Sequence, residues 1–189
     1  MGMQRTVKKI LICIAILMSV QYPAYAQQAH LKDIVISNCA GNVVVSFKLE
    51  GAFSSEMKEA ILKGTPITFT FFIALYQVRS LWFDRKIADI RIDHIMKYNA
   101  MKEDFMIKRS SEIDKVLTTQ SLDEAQELVT QISNLEFLPS NWLENGKHRQ
   151  IRLKAKLSTT NLPFYLRRVL FFSPSWDFET DWYIFDYNY

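Results

Sequence analysis

Between Ile67 and Val78 the chain reads ITFTFFIALYQV, a run that is apolar on both faces when drawn as an extended strand. Successive strand side chains point to opposite sides of the sheet. Ile67, Phe69, Phe71, Ile73 and Leu75 therefore share one face, and Thr68, Thr70, Phe72, Ala74, Tyr76 and Val78 share the other. A strand with one wet face alternates apolar with polar residues; one that is largely apolar on both belongs inside a sheet with cover on each side. The flanking sequence supplies neighbours. Upstream, Ser54 or Ser55 caps a helix with Met57, Ala60 and Ile61 on one face. Gly64 suits the left-handed residue past its end, and Pro66 forbids continuation. Downstream, the corner from Arg79 to Arg85 leads to a second strand. There Ala88, Ile90, Ile92, Met96 and Tyr98 face one way, with Asp89, Arg91 and Asp93 behind them.

The remaining segments read as cover for this unit. Leu31 to Ser37 and Val43 to Leu49 form a hairpin around Gly41-Asn42. Phe105, Ile107 and Arg109 continue the sheet, and the more polar stretch to Leu117 suits a bent edge strand. Ser121-Leu122-Asp123-Glu124 is a capping box, followed at helical spacing by Leu122, Ala125, Leu128, Val129 and Ile132. Pro139 to Gly146 reads as loop, with Trp142 and Leu143 as tucked anchors. His148 to Ser158 alternates, with Ile151, Leu153, Ala155 and Leu157 inward and Gln150, Arg152, Lys154 and Lys156 outward. Leu162, Tyr165, Leu166, Val169 and Leu170, with Pro163 at the start, give a short third helix. From Trp176 a final strand places Asp177, Glu179, Asp181, Tyr183, Phe185, Tyr187 and Tyr189 opposite Trp176, Phe178, Trp182 and Ile184. The expected fold is α+β and mostly β: an antiparallel sheet or sandwich of about six to eight strands with two amphipathic helices and a short third helix.

Met1 to Ala26 has the pattern of a secretory signal. Arg5, Lys8 and Lys9 precede an apolar run from Ile10 to Val20, and Ala24-Tyr25-Ala26 fits the small-x-small cleavage rule. The expected localisation is periplasmic, as a single globular domain over 27–189, with an uncleaved membrane anchor as the alternative. A lipoprotein reading through Cys13 fails, because that residue lies inside the apolar run after the bulky Ile12. The signal also carries the charge imbalance. The whole chain has 23 basic and 20 acidic residues; without Arg5, Lys8 and Lys9 the two classes are equal. Net charge therefore gives no support to a nucleic-acid partner. Of two cysteines only Cys39 follows the signal, so no disulfide forms within the domain and the core alone must hold it. Beside the Ala40-Gly41-Asn42 turn, Cys39 is expected to be a buried or half-buried inert thiol.

Several motifs resemble one protein family. They are Gly51-Ala52-Phe53, Gly64-x-Pro66 with Phe69, Trp82-x-Asp84, Tyr98, Leu162-Pro163, and the run Trp176-Asp177-Phe178-Glu179-Thr180-Asp181-Trp182-Tyr183. In this order they look like the bacterial domain-of-unknown-function family 4390, from about Leu31 to the C-terminus. The resemblance implies an exported bacterial protein of unestablished activity and offers no catalytic residue to carry over.

Chemistry is sparse. Cys39 and His94 are the types needed for a thiol nucleophile and its base, yet nothing fixes their geometry, and His94 reads as a hydrogen-bonded or exposed residue ending a strand. His30, His94 and His148 lack metal-ligand spacing. Asp177, Glu179 and Asp181 can hold a hard cation such as calcium, but a straight strand presents them in a row, and pairing with Arg152, Lys154 and Lys156 is the plainer reading. The five glycines form no Walker loop, nucleophile elbow or dinucleotide fingerprint. No catalytic, cofactor-binding or metal residue is assigned, and no cofactor is expected. The functional expectation is a non-enzymatic envelope protein that contacts a protein partner through Arg79, Trp82, Asp84 and Trp182, since aromatics beside charges favour interfaces. Alternatives are a periplasmic binder of lipid or another apolar ligand and, from the aromatic C-terminus, an outer-membrane barrel.

Overall fold

A computed structural model describes residues 29–112, 114–140, 148–158 and 177–187. The expected signal, the Trp142 and Leu143 anchors and the third helix lie outside these residues. In chain order the elements are β1 (His30–Cys39), β2 (Asn42–Glu50), α1 (Ser55–Leu62), β3 (Ile67–Gln77), β4 (Arg85–Asn99), β5 (Asp104–Arg109), β6 (Val116–Thr119), α2 (Leu122–Thr130), β7 (Gln131–Pro139), β8 (Arg149–Ser158), β9 (Phe178–Glu179) and β10 (Tyr183–Tyr187). They form an antiparallel three-stranded sheet, β1-β2-β7, and an antiparallel seven-stranded sheet, β10-β8-β3-β4-β5-β6, with β9 also paired to β8.

β3 sits between β8 and β4, as its two-faced apolar pattern requires. Ile67, Phe69, Phe71, Ile73 and Leu75 are all wholly buried. Their face meets the small sheet and the helices: Phe71 packs edge-on against Phe47 of β2 at 5.6 Å, and Phe53 packs against Phe69 at 5.5 Å. Each such ring contributes roughly 1.5–3 kcal/mol through burial. The opposite face differs in kind. Thr70 and Ala74 are buried there, but Phe72 and Tyr76 are only half-buried. Phe72 lies in register between Arg91 and Lys154, so its cross-strand neighbours on both sides are long cationic side chains. Such stems cover apolar surface while their charged ends stay wet.

Local signals placed the helices. Ser54 Oγ accepts the Met57 N–H at 3.2 Å, which caps α1. At its end the Gly64 N–H donates to the Ile61 carbonyl at 2.8 Å and the Thr65 N–H to Ala60 at 3.0 Å; Gly64 takes φ +87° to make this possible. Ser121 caps α2 by accepting from the Glu124 N–H at 3.3 Å. The reciprocal half of the capping box is relayed: Ser121 N–H donates to Thr119 Oγ1, and that hydroxyl donates to the Glu124 carboxylate.

Two elements depart from expectation. α2 ends at Thr130, and Ile132 belongs to β7, a strand paired to β2 that periodicity did not reveal. The reason is a bulge at Asn134, whose φ of +49° shifts the register and breaks the alternation. The last carbonyls of α2 are satisfied from the large sheet: Arg109 donates to Leu128 O at 3.1 and 2.7 Å, and His94 Nδ1 lies 2.9 Å from Val129 O. The C-terminal strand is likewise two pieces. Glu179 pairs with Lys156 but Tyr183 pairs with Leu153, so the chain carries one extra residue between them. Thr180 fills the gap. Its N–H donates to Ala155 O at 2.9 Å, and its Oγ1 accepts from Ala155 N–H at 3.1 Å.

Candidate interaction surface

The C-terminal bulge decides which side chains reach the outer face of the large sheet. Without it, Glu179, Asp181 and Tyr183 would share one side. With it, Glu179 lies beside outward Lys156, whereas Tyr183 lies beside buried Leu153. Tyr183 instead reaches the small sheet, where its hydroxyl accepts from Leu31 N–H at 3.1 Å. Trp182 and Ile184 are turned out, 41% and 52% exposed.

Around them lies a strip of aromatic and cationic groups. Lys154 Nζ stands 5.1 Å over the Trp182 ring. Arg152, in register with Ile184, lays its guanidinium 4.2 Å over the Tyr76 ring. Arg152 also pairs with Asp84 and donates to Gln150 Oε1 at 2.7 Å. Asp84 in turn accepts from the Arg79 N–H at 3.4 Å, which ties the β3–β4 loop to the sheet. Of the four residues expected to form one surface, Asp84 and Trp182 join through this strip and Arg79 joins by its backbone. Trp82 stands apart, 75% exposed between Leu81 at 95% and Phe83 at 89%. Ile184, Arg152 and Tyr76 were not among the four, because their place depends on the bulge and on a pairing distant in sequence.

Of the acidic row, Glu179 meets the basic row: it pairs with Lys154 and, at 3.7 Å, with Lys156. The Lys154 hydrogen bond is the main cause holding the Glu179 carboxyl below the usual range. Arg152 takes Asp84 rather than an acid of the C-terminal row. Among the described residues no three His, Cys, Asp or Glu side chains converge as a metal site requires.

The structure does not assemble Cys39 with His94. Cys39 is exposed at the β1–β2 turn, contrary to the expected buried thiol. The turn places Ala40 and Gly41 at φ +51° and +83°, which suits a tight hairpin, and leaves the cysteine outside the core. His94 neither ends a strand nor faces water: it lies within β4, 1% exposed, edge-on to Phe71 at 5.2 Å. Burial pushes its pKa down to about 4, against the hydrogen bond to Val129 O that favours the charged ring. A neutral ring with Nδ1–H donating to Val129 satisfies that carbonyl. His30 and His148 lie elsewhere, 3.3 Å from Glu50 and 2.7 Å from Asp186.

The model of one protein family matches residues 26–186. The chain belongs to this family, a domain of unknown function (DUF4390). Comparison with curated proteins found no match, and comparison with solved structures found none. Many DUF4390-like motif residues have structural work: Phe53, Phe69 and Phe178 pack in sequence, Gly64 ends α1, and Tyr98 packs tilted against Phe105 at 4.8 Å. Trp82 and Trp182 remain substantially exposed. Two clefts among the described residues lie apart from the strip. One of about 360 Å³ is lined by Lys48, Glu50, Lys58, Asp123, Gln126 and Glu127, among others. The other, about 330 Å³, carries Asp93, Lys108, Arg109 and Glu112. Both have charged walls.

Proposed function

We propose that this DUF4390 chain is an exported, non-enzymatic domain of the bacterial cell envelope that binds a partner protein through the outer face of its large sheet. The observation that carries this reading is the Trp182–Lys154 and Tyr76–Arg152–Asp84 strip. Arginine, tryptophan and tyrosine dominate binding hot spots because they combine apolar area with polar ends. Here the cations are already held over the rings and against carboxylates, so docking them costs little further side-chain entropy. Exposed Ile184 supplies an apolar centre next to Arg152. Export rests on the Met1–Ala26 pattern, and intact-mass measurement of protein extracted from cells should give a chain beginning at Gln27. Chemical crosslinking in cells, followed by mass spectrometry, tests the face itself. The wild-type chain should yield a discrete protein adduct that Trp182→Ala combined with Lys154→Glu abolishes while the melting temperature holds. An adduct indifferent to both substitutions refutes the assignment.

A further inference from the structure

We infer that the β3–β4 loop is a membrane-docking tip, and that Leu81, Trp82 and Phe83 enter the interface of an anionic phospholipid bilayer while Arg79 and Arg85 meet its phosphates. The loop projects beyond the last ladder pair, Gln77 with Arg85. Its neck is closed by Val78 N–H donating to His148 O at 3.0 Å and by Arg79 N–H donating to Asp84. Past that neck come three consecutive large apolar residues, each at least 75% exposed. Folded proteins scatter single apolar residues over their surfaces, but a contiguous patch marks a contact.

The charges choose the contact. Arg79 and Arg85 flank the patch and are exposed, and no ion pair to a carboxylate is found for either guanidinium among the described residues. The loop's own acid, Asp84, is turned inward onto Arg152. Other acids toward this end of the sheet are engaged as well: Asp89 with Lys86 at 3.3 Å, and Asp186 with His148 and Gln150. From the tip inward the order is therefore apolar, then cationic. An anionic leaflet presents the same order in depth, with acyl chains below phosphates, and tryptophan favours the boundary between them. A protein partner would need a concave apolar pocket to receive so small a convex tip. Docking goes beyond the partner-binding reading: it would hold the domain at a membrane surface whether or not the sheet face has a partner.

The test is vesicle flotation of the protein from Gln27 onward, which contains every described element and lacks the apolar run of Ile10 to Val20. Vesicles of phosphatidylglycerol with phosphatidylethanolamine should carry the protein up the gradient, and phosphatidylcholine vesicles should carry much less. Leu81→Ser, Trp82→Ser and Phe83→Ser together should lower partition at least tenfold with an unchanged melting temperature, because all three sites are exposed. Arg79→Gln with Arg85→Gln should remove the anionic preference, at about fivefold per cation. Met101→Ser, an equally exposed apolar site at the opposite end of β4, should leave partition unchanged. Wild-type protein that ignores anionic vesicles overturns the inference, as does a tip variant that floats as well as wild type. Loss of a protein crosslink in the tip variant, with neither form touching vesicles, overturns it in favour of a protein contact at the tip.

Discussion

His94 should make the stability of this domain depend on pH well above the range in which carboxylates titrate. The unfolded imidazole protonates near 6.5 and the folded one near 4, because charging it in place means charging a ring sealed between Phe71 and α2. Between those values the unfolded chain holds the extra proton, so stability is complete above pH 6.5 and falls as pH drops toward 4. The 2.5-unit difference corresponds to about 3 kcal/mol in full, of which about 2 kcal/mol is lost by pH 5. Lowered carboxyls at Glu50, Glu112, Glu179 and Asp186 act in the same direction, but only as pH falls below their ordinary values. The window from 6.5 to 5 therefore separates His94 from them. His94→Asn supplies the comparison, since its amide N–H can still donate to Val129 O but does not titrate. Urea melts from pH 8 to pH 5 should show the wild-type curve descending relative to a flatter variant. Parallel curves would refute the reasoning, as would a His94 imidazole that titrates near 6.5 in the folded protein by NMR.

Other expectations follow from single positions. Phe71→Ala should cost about 3–5 kcal/mol in denaturant melts, since the ring is wholly buried against Phe47 and His94; a cost under about 1 kcal/mol would contradict the assignment of this face to the core. Arg109→Met should cost about 1–3 kcal/mol by leaving the Leu128 carbonyl without its donor and Glu112 with Lys115 alone, and unchanged stability would show that the α2 terminus is satisfied otherwise. Cys39 should react with a maleimide in the native protein at a rate unaffected by mild denaturant. Reaction only on unfolding would return it to the core.

The fold was legible where the chain repeats one period without interruption. β3 announced its central place through apolar residues on both faces, and β8 through Ile151, Leu153, Ala155 and Leu157, which are all fully buried. Caps at Ser54 and Ser121 were readable because their partners lie three residues on. Bulges defeated the same method. Asn134 hid β7, and the extra residue beside Thr180 broke the alternation between Glu179 and Tyr183, which the sequence had placed on one face. The interaction strip was half visible. Aromatics near charges pointed to Trp82, Asp84 and Trp182, but the Arg152–Asp84 pair spans 68 positions and joins a loop to a distant strand. Local pattern carries no trace of such a pair. His94 was misplaced for a related reason: its partner is the end of a helix that packs across β4 and β5, and only the packed structure sets that terminus above the ring.

Partner binding by the sheet face is tested most directly by a photo-crosslinking amino acid placed at position 182 in cells, with position 101 as the control. Both sites are exposed, but only Trp182 lies on the strip; Met101 lies in the β4–β5 turn. The expected result is one discrete protein adduct at position 182, absent at 101 and lost when Lys154→Glu is added. Adducts equal at both positions, or no protein adduct at 182, would contradict the assignment of this face to a partner.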